Sequence, residues 1–170
     1  MHAKFRYYQA DAEERIHEEL HSQDKCLVKM FCGTGKSLLM RHCRIAQNRR
    51  LTVYTFPSLA LIKQFYTDYL ADAEYVMCIS SENDAISTTD PTNIKRFLRK
   101  CENQIICITY QSYSTLLDCL GDIKINVCIF DEAHHAVGET YKSLIFDNAV
   151  CEKQIFFTAT PKNANKGITA

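Results

Sequence analysis

The chain has 170 residues, which suits one compact domain, and 46% of them are hydrophobic, which is enough to form a buried core. Its 20 Lys and Arg residues balance its 20 Asp and Glu residues, so no overall basic field indicates nucleic acid, and any polyanion has to be bound by local geometry. The nine cysteines contain no C-x-x-C pair, which argues against zinc, and those inside apolar runs are typical of reduced thiols in an intracellular compartment such as the cytoplasm or the nucleus.

The first part of the chain alternates between helical and strand patterns. Apolar residues recur every four positions over residues 8–22, as in an amphipathic helix, and the start of the chain has no apolar signal core. The apolar segment CLVKMF at 26–31 predicts a short buried strand, and KSLLMRHCRIAQ at 36–47 predicts a helix. LTVYTF at 51–56 is rich in β-branched and aromatic residues, so it predicts a strand, which the following proline ends.

The same alternation continues through the rest of the chain. Helical spacing is found in LALIKQFYTDYL, IKRFLRKC, SYSTLLDCL and TYKSLIFDNAV, and strand character in EYVMCI, QIICITY, INVCIF and KQIFFTAT. Residues 80–93 are polar without a period, which predicts a surface loop, either a partner-binding insertion or a flexible connection. Unbroken apolar strands that alternate with helices are typical of parallel strands buried on both faces. We therefore predict one domain over residues 1–170 with an α/β fold, a mainly parallel sheet flanked by helices.

Polar segments follow five of the predicted strands. They are GTGKS, PS, TYQS, DEAHH and TAT. In parallel sheets of this kind, ligands bind in the crevice at the carboxyl ends of the strands. The sequence therefore predicts that these five segments converge on one ligand-binding edge, whereas no stretch has the roughly eighteen successive apolar residues of a membrane span.

The first of these segments places two glycines and a lysine between a strand and a helix. Gly33 and Gly35 permit a turn whose backbone N–H groups point inward, and the helix end adds a positive dipole, which together favour an anion. Lys36 would reach the outer phosphates of a nucleotide, and the Ser37 hydroxyl would ligate magnesium. The full phosphate-loop pattern has glycine where this chain has Met30, and the alternative is an ordinary turn with a surface lysine.

An adjacent pair of acids follows the apolar strand INVCIF. Asp131 is placed to hold a magnesium ion that is also bound to phosphate, and Glu132 to orient an attacking water as general base. The alternative is a polar cap on the following helix, a position that favours Asp. The glycine-rich turn predicted on the same edge favours the catalytic interpretation.

At this point the chain resembles a known family. MFCGTGKS, DEAHH and FTAT, in this order, are similar to motifs I, II and III of superfamily 2 helicases and translocases, in their DEAH-box and type III restriction-enzyme-like branch. FRYYQADA resembles the Q motif of that family, with Tyr7 in place of the usual proline, and VYTFPSLALIKQF and ITYQS resemble motifs Ia and Ib or Ic. The resemblance covers almost the whole chain. It implies a RecA-like P-loop NTPase domain, ATP and Mg²⁺ as cofactors, and nucleic-acid-dependent ATP hydrolysis.

The resemblance also implies a role for each matching position. It assigns the selection of adenine to Gln9, magnesium to Ser37 and Asp131, and activation of water to Glu132. The residues implied in ATP binding are Arg6, Gln9, Gly33, Thr34, Gly35, Lys36 and Ser37. The residues implied in catalysis are Lys36, Glu132 and His134.

The nucleic-acid side follows from the same resemblance. Its implied contacts with the sugar-phosphate backbone are Pro57, Ser58, Thr109 and Gln111. His134, Thr158 and Thr160 are implied in coupling the two sides. Uncharged donors suit contacts that position a strand without reading its sequence. Simpler interpretations stay open: Pro57 and Ser58 as a strand end and helix cap, the two threonines as ordinary strand residues, and the tyrosines at 7 and 8 as packing residues.

The family resemblance implies a partner as well as a ligand. Superfamily 2 motors have two RecA-like domains, and the second supplies arginine fingers to the ATP, but motifs IV to VI are not found in this sequence. We expect this chain to be the first motor domain, with the second supplied in cis or in trans, and to hydrolyse ATP weakly or not at all by itself. DNA is favoured over RNA as the nucleic acid.

Three other interpretations compete with this one. A non-catalytic nucleotide- or nucleic-acid-binding module would be indicated by a missing catalytic residue, and none is missing. Small-molecule kinases share the glycine-rich turn but not the adjacent acids followed by histidine. A carboxylate-bridged di-metal bundle matches the E-x-x-H spacing that begins at Glu14, Glu18 and Glu132, but it needs four helices that face a common core.

Overall fold

The computed structural model describes residues 6–31, 33–44, 51–81, 87–100, 103–137, 139–146 and 149–159. Within these ranges the chain forms six α-helices and seven β-strands. The helices are α1 (Tyr7–Ser22), α2 (Lys36–His42), α3 (Leu59–Phe65), α4 (Pro91–Leu98), α5 (Tyr113–Leu120) and α6 (Glu139–Ile145). The strands are β1 (Lys25–Lys29), β2 (Leu51–Phe56), β3 (Val76–Ile79), β4 (Ser87–Thr88), β5 (Gln104–Thr109), β6 (Ile125–Phe130) and β7 (Cys151–Thr158).

The seven strands form one sheet in the order β1-β7-β6-β2-β5-β3-β4. Every strand pair found in the described residues is parallel. The predicted α/β class is therefore confirmed. The order has one feature that the sequence does not reveal: β7, the last of the described strands, lies between β1 and β6.

Both faces of the sheet are covered by helices because its central strands are apolar on both sides. In β2, Leu51 and Val53 face the cluster that contains residues of α4, α5 and α6, whereas Tyr54 and Phe56 face the cluster that contains residues of α1, α2 and α3. All six residues of β2 are buried. Burial on both faces explains why such strands read as unbroken apolar runs rather than as an alternation.

The prediction of a surface loop over residues 80–93 is wrong for the second half of that segment. Ser87–Thr88 pair with β3, and α4 begins at Pro91, capped by Asp90, whose Oδ1 accepts a hydrogen bond of 2.9 Å from the backbone N–H of Thr92. Asp before Pro at the first helical position is a helix-start signal that outweighs the polarity of the segment. A strand of two residues is too short to show a period. Residues 82–86 lie outside the described residues.

Other boundaries differ from the prediction by small shifts. The predicted helix over 59–70 is α3 followed by a π-helical turn at Tyr66–Leu70, and the predicted last strand begins two residues earlier than expected, at Cys151. The helix predicted from residue 140 ends at Ile145 as α6.

The seven cysteines in the described ranges are free thiols. In those ranges no helix is both long and apolar enough to cross a membrane.

Candidate active site

The carboxyl ends of five neighbouring strands meet at one edge of the sheet. Along this edge the order is β1, β7, β6, β2 and β5, so the polar segments that follow these strands lie side by side. The glycine-rich turn follows β1 and the acidic pair follows β6, with β7 between them. The segments with the implied nucleic-acid residues follow β2 and β5, on the other side of β6.

The turn after β1 has the conformation that its glycines permit. Gly33 and Gly35 have φ angles of 79° and 81°, in the left-handed region that glycine adopts without steric cost. Between them, the Thr34 hydroxyl donates a hydrogen bond of 2.6 Å to the carbonyl of Phe31, which closes the turn. Gly35 is the N-cap of α2, so Lys36 and Ser37 are the first two residues of that helix. The Ser37 side chain is half-buried.

Lys36 joins the glycine-rich turn to the acidic pair across the width of β7. Its Nζ lies 2.7 Å from Oδ1 of Asp131 and 2.5 Å from Oε1 of Glu132. The three side chains are only 14%, 8% and 22% exposed. Burial acts to lower the pKa of Lys36, but hydrogen bonds and charge attraction from the two acids outweigh it and raise that pKa above its ordinary value. The site thus holds one cation against two carboxylates in a largely buried setting.

The backbone of the acidic pair is held in an unusual conformation. Glu132 has a φ angle of 49°, in the left-handed region that few residues other than glycine adopt. The backbone N–H of Asp131 donates to the carbonyl of Thr55 on β2 at 2.8 Å, and the N–H of Glu132 donates to Oδ1 of Asp131 at 2.9 Å. The Tyr110 hydroxyl donates to the carbonyl of Asp131 at 2.8 Å. Strained conformations of this kind persist where several surrounding contacts hold the backbone in place, and they are enriched at functional sites.

His134 continues the acidic site on the following turn. Its Nδ1 lies 3.5 Å from Oε2 of Glu132, so Glu132 is placed between Lys36 and His134. The rings of His134 and His135 have centroids 4.4 Å apart. A helix cap alone does not account for this arrangement, because Asp131 and Glu132 both contact a lysine from a distant part of the chain.

Gln9 is packed into the glycine-rich turn. Its side chain is buried, its Nε2 donates to the carbonyls of Thr34 and Gly35 at 3.2 Å each, and its Oε1 accepts from the backbone N–H of Arg6 at 2.9 Å. The implied selection of adenine by Gln9 stays a prediction; in this structure its amide binds the turn itself. Tyr8 adds a third contact, since its hydroxyl donates to the carbonyl of Thr34 at 3.2 Å.

Two exposed aromatic residues lie in the same two segments. Tyr7 is 87% exposed and Phe31 is 80% exposed. The Tyr7 ring contacts the Tyr8 ring edge to face with centroids 5.6 Å apart, and it is not part of either core cluster. The packing interpretation for Tyr7 is therefore wrong. The Arg6 guanidinium donates to the Tyr8 hydroxyl at 3.1 Å.

The implied nucleic-acid residues lie on two strands that are neighbours. Phe56 at the end of β2 is in register with Thr109 at the end of β5, so the turns that carry Pro57 and Gln111 lie side by side. Ser58 caps α3 by accepting a hydrogen bond of 3.4 Å from the N–H of Leu61, as its simpler interpretation predicts, and its side chain stays exposed. Gln111 is exposed too.

The remaining implied residues are less accessible. Thr109 is buried and its hydroxyl donates to Oγ of Ser112 at 3.2 Å. Thr158 is the last residue of β7, is buried, and accepts a backbone hydrogen bond of 3.1 Å from Met30 through its carbonyl, which ties β7 to the start of the glycine-rich turn. Thr160 lies outside the described residues.

A Gly35→Ala substitution is expected to distort the glycine-rich turn and to weaken, by about tenfold or more, the nucleotide binding that the family resemblance implies for this turn. A Cβ at this position would lie 2.2 Å from Nε2 of Gln9, and the φ angle of 81° is unfavourable for alanine. Gly33→Ala is the matched control, because its φ of 79° carries the same backbone cost but a Cβ there meets nothing within 4 Å. Calorimetric titration of both variants with ATP measures the difference. Equal affinities for the two variants would show that contact with Gln9 is not what requires glycine at 35.

Comparison with known sequences shows which family and which proteins the chain is similar to. Residues 2–163 match the family described as type III restriction enzyme, res subunit. Over 92% of its length the chain is 25% identical to a probable helicase of African swine fever virus, and it spans 19% of the length of that protein.

The parallel sheet excludes the interpretation as a di-metal bundle with E-x-x-H spacing. Glu14, His17 and Glu18 lie exposed on α1 and do not face a common core.

Solved structures share the fold of the chain. The type ISP restriction-modification enzyme LlaBIII bound to DNA matches 94% of this chain with a TM-score of 0.80 at 24% identity, and the match covers 13% of that enzyme. A nuclease-deletion mutant of the related enzyme LlaGI, in complex with a DNA substrate mimic, matches 95% with a TM-score of 0.78 at 23% identity and covers 18% of that chain. The helicase domain of Hef from Pyrococcus furiosus matches 95% with a TM-score of 0.72 at 21% identity, over 34% of its length.

Proposed function

Since this chain belongs to the family of type III restriction enzyme res subunits, we propose that it is the ATP-binding motor domain of a nucleic-acid-dependent ATPase that uses ATP hydrolysis to move on or unwind DNA. The observation that carries the proposal is the contact of Lys36 with Asp131 and Glu132. It brings a glycine-rich turn and an acidic pair, 95 residues apart in sequence between Lys36 and Asp131, to one point on the sheet edge.

In the proposed mechanism, ATP binds along the turn after β1. The left-handed glycines expose backbone N–H groups to the phosphates, and Lys36 turns from the acids to the outer phosphates. This exchange gives the ammonium new anionic partners and leaves Glu132 able to accept a proton. Arg6, Gln9 and Thr34 lie next to the turn, where we propose that they complete the nucleotide site.

The residues at this point fit a magnesium ion. Asp131 and Ser37 offer carboxylate and hydroxyl oxygens, which are the ligands that Mg²⁺ prefers, and the two acids already converge on a cation, the ammonium of Lys36. We propose that phosphate oxygens and water supply the remaining ligands of the ion. When bound, the ion would neutralise charge on the terminal phosphates.

Glu132 is the proposed general base for hydrolysis. Its carboxylate lies beside the position proposed for the phosphates and 3.5 Å from Nδ1 of His134, which is placed to orient it. A positioned base of this kind contributes about 10²–10⁴-fold to the rate. We propose that His134 and Thr158 couple the ATP site to the nucleic-acid side. Thr158 is buried at the end of β7, the strand that lies between the glycine-rich turn and the acidic pair.

The turns after β2 and β5 are the proposed nucleic-acid contacts. Ser58 and Gln111 are exposed there and Pro57 is half-buried, whereas the buried Thr109 stabilises the turn after β5 through its hydrogen bond to Ser112. Hydroxyl, amide and backbone donors can bind phosphates without a strongly basic surface, which agrees with the balanced charge of the chain. DNA is favoured because two structures that share this fold were solved with DNA or a DNA substrate mimic.

A second RecA-like domain is proposed as the partner that completes the motor. The chain spans 19% of the length of the curated relatives that it matches, so their whole activity includes parts beyond the matched region. An arginine finger from such a domain contributes about 10³–10⁵-fold to phosphoryl transfer. Free cysteine thiols throughout the described ranges support a reducing intracellular compartment, the cytoplasm or the nucleus.

The proposed function is tested by measuring ATP binding by calorimetry and ATP hydrolysis with single-stranded DNA, duplex DNA or RNA. We expect micromolar to millimolar ATP affinity that requires Mg²⁺, and slow hydrolysis that DNA stimulates. Binding without hydrolysis under every condition would favour a non-catalytic nucleotide-binding module, and stimulation by RNA alone would assign an RNA motor. Absence of nucleotide binding would overturn the proposal.

The chain by itself is expected not to unwind a duplex. Unwinding requires ATP-driven movement of two motor domains, and the proposed second domain is not among the described residues. A strand-separation assay with a fluorescently labelled duplex and excess ATP measures this. Unwinding by the purified chain at enzyme-like rates, on the order of 1 s⁻¹ or faster, would contradict the need for a second domain.

A further inference from the structure

Tyr110 connects the two halves of the proposed site. It follows Thr109 at the end of β5 and precedes Gln111, so it lies inside the segment proposed to contact nucleic acid. Its side chain is only 4% exposed, and its hydroxyl donates a hydrogen bond of 2.8 Å to the carbonyl of Asp131. The backbone of Tyr110 thus lies in the proposed nucleic-acid segment, whereas its side chain contacts the acidic pair of the proposed ATP site.

The hydrogen bond from Tyr110 holds the peptide group that joins the two acids. The carbonyl of Asp131 and the N–H of Glu132 belong to the same planar unit. The carbonyl accepts from the Tyr110 hydroxyl, and the N–H donates to Oδ1 of Asp131, so both ends of the unit are fixed. The orientation of this unit and the φ angle of 49° at Glu132 together set the direction of the Glu132 side chain.

The Tyr110 ring is packed against residues on both sides of the acidic pair. Its centroid lies 6.3 Å from that of Phe130, which precedes Asp131, with the two planes 27° apart. It lies 6.2 Å from the centroid of His135, which follows His134. A shift of the β5 turn therefore moves a side chain that contacts the acidic segment before, at and after Asp131.

We propose that Tyr110 is a positioning residue that transmits nucleic-acid binding to Glu132. A nucleic-acid strand bound at the exposed Gln111 moves or rigidifies the turn after β5. The Tyr110 hydroxyl carries this change to the peptide group between Asp131 and Glu132, and the general base gains its productive orientation. The inference rests on the proposed function, since it assigns a route between the two sides of that site. Tyr110 touches neither the nucleotide nor the reacting atoms in this scheme.

The test compares Tyr110→Phe with Tyr113→Phe. The first removes only the hydroxyl that contacts the Asp131 carbonyl and keeps the ring. The second is a matched control: Tyr113 is completely buried in the same segment, but its hydroxyl contacts the thiols of Cys128 and Cys151, at 3.3 and 3.5 Å, instead of the acidic pair. Thermal unfolding of both variants measures any general loss of stability.

The decisive measurement is by amide NMR during titration with a single-stranded oligothymidine. In the parent chain we expect the amide resonances of Gln111 and Glu132 both to shift. In Tyr110→Phe the Gln111 shift should remain and the Glu132 shift should be lost, whereas Tyr113→Phe should keep both. Single-turnover hydrolysis should show the same split: Tyr110→Phe lowers stimulation by DNA about two- to tenfold, the effect of one hydrogen bond, at unchanged ATP affinity.

The outcomes separate this inference from the proposed function. If the parent chain shows no shift at Gln111 and no stimulation by nucleic acid, the proposed nucleic-acid side is wrong and the inference falls with it. If the parent responds and Tyr110→Phe keeps both the Glu132 shift and the full stimulation, the proposed function stands and the role of Tyr110 is overturned. Equal losses in Tyr110→Phe and Tyr113→Phe would also overturn it, because they would indicate a general effect on the fold.

Discussion

Replacing Lys36 with alanine is expected to abolish measurable nucleotide binding. Lys36 is the side chain proposed to reach the outer phosphates of ATP, and this side chain is only 14% exposed, so that little water competes with its charge-assisted hydrogen bonds. Loss of such a contact at a charged, buried position weakens binding by about 10²-fold or more. Calorimetric titration with ATP and Mg²⁺ measures the change.

Lys29→Ala is the matched control for this experiment. Lys29 is the last residue of β1, is exposed, and lies on the same strand that leads into the glycine-rich turn. Its removal takes away the same charge from the same neighbourhood without touching Asp131 or Glu132. Unchanged ATP affinity in Lys36→Ala, or equal losses in both variants, would refute the assigned role.

Lys36→Ala is also expected to lower the free energy of unfolding by about 1–3 kcal/mol, because it leaves the largely buried acids without their cation. The raised pKa of Lys36 determines the pH at which the parent chain loses this contribution to its free energy of unfolding. It is fully present below the ordinary lysine value of 10.5 and is lost as the pH rises through the higher pKa of the folded state. Thermal unfolding before the titration verifies that the variant is folded under the conditions of the binding measurement.

Replacing Glu132 with glutamine is expected to remove hydrolysis and to leave ATP affinity within about twofold. The amide has the same shape and still accepts a hydrogen bond from Lys36, but it does not take a proton from water, so the expected loss of rate is about 10²–10⁴-fold. Glu132 lies next to the proposed phosphate position and is not assigned a contact with the nucleotide. Single-turnover hydrolysis and calorimetry on the same preparation separate the rate from the affinity.

The control for the second experiment is Glu152→Gln. Glu152 lies at the opposite end of the sheet, where its Oε2 accepts a hydrogen bond of 2.9 Å from Asn126. The Glu152→Gln variant should hydrolyse ATP at the rate of the parent chain. Loss of ATP binding in Glu132→Gln with the fold intact would contradict the role of general base and would indicate that Glu132 acts in binding.

Part of the architecture could be predicted because it depends on burial alone. The strands at Leu51–Phe56 and Ile125–Phe130 were predicted to the residue, since nearly all of their positions are apolar or β-branched and are buried, as expected of strands covered on both faces. Parallel pairing then places every strand's carboxyl end at one edge. That reasoning sufficed to bring the glycine-rich turn and the acidic pair to the same side of the molecule, and the resemblance to the restriction-enzyme-like branch of superfamily 2 is confirmed by the family match.

The rest depends on contacts that no periodicity encodes. Gln9 was assigned to adenine, and nothing in its sequence context indicates that its amide binds the carbonyls of Thr34 and Gly35. Tyr110 looks like the last residue of an apolar strand; its position between Thr109 and Gln111 was the only available signal of a functional role. The left-handed conformation of Glu132 was hidden as well, because a non-glycine residue gives no local indication of a positive φ angle.

The strand order has a consequence for how the protein acquires its site during synthesis. Within the described residues, β1 pairs with β7 alone, and β7 follows the other six strands in the sequence, so it leaves the ribosome after them. Until residues 151–158 have emerged, the edge that carries the glycine-rich turn has no neighbour to hydrogen-bond, although β2, β3, β5 and β6 can already assemble. A nascent chain therefore brings the glycine-rich turn and the acidic pair together only after β7 has been translated.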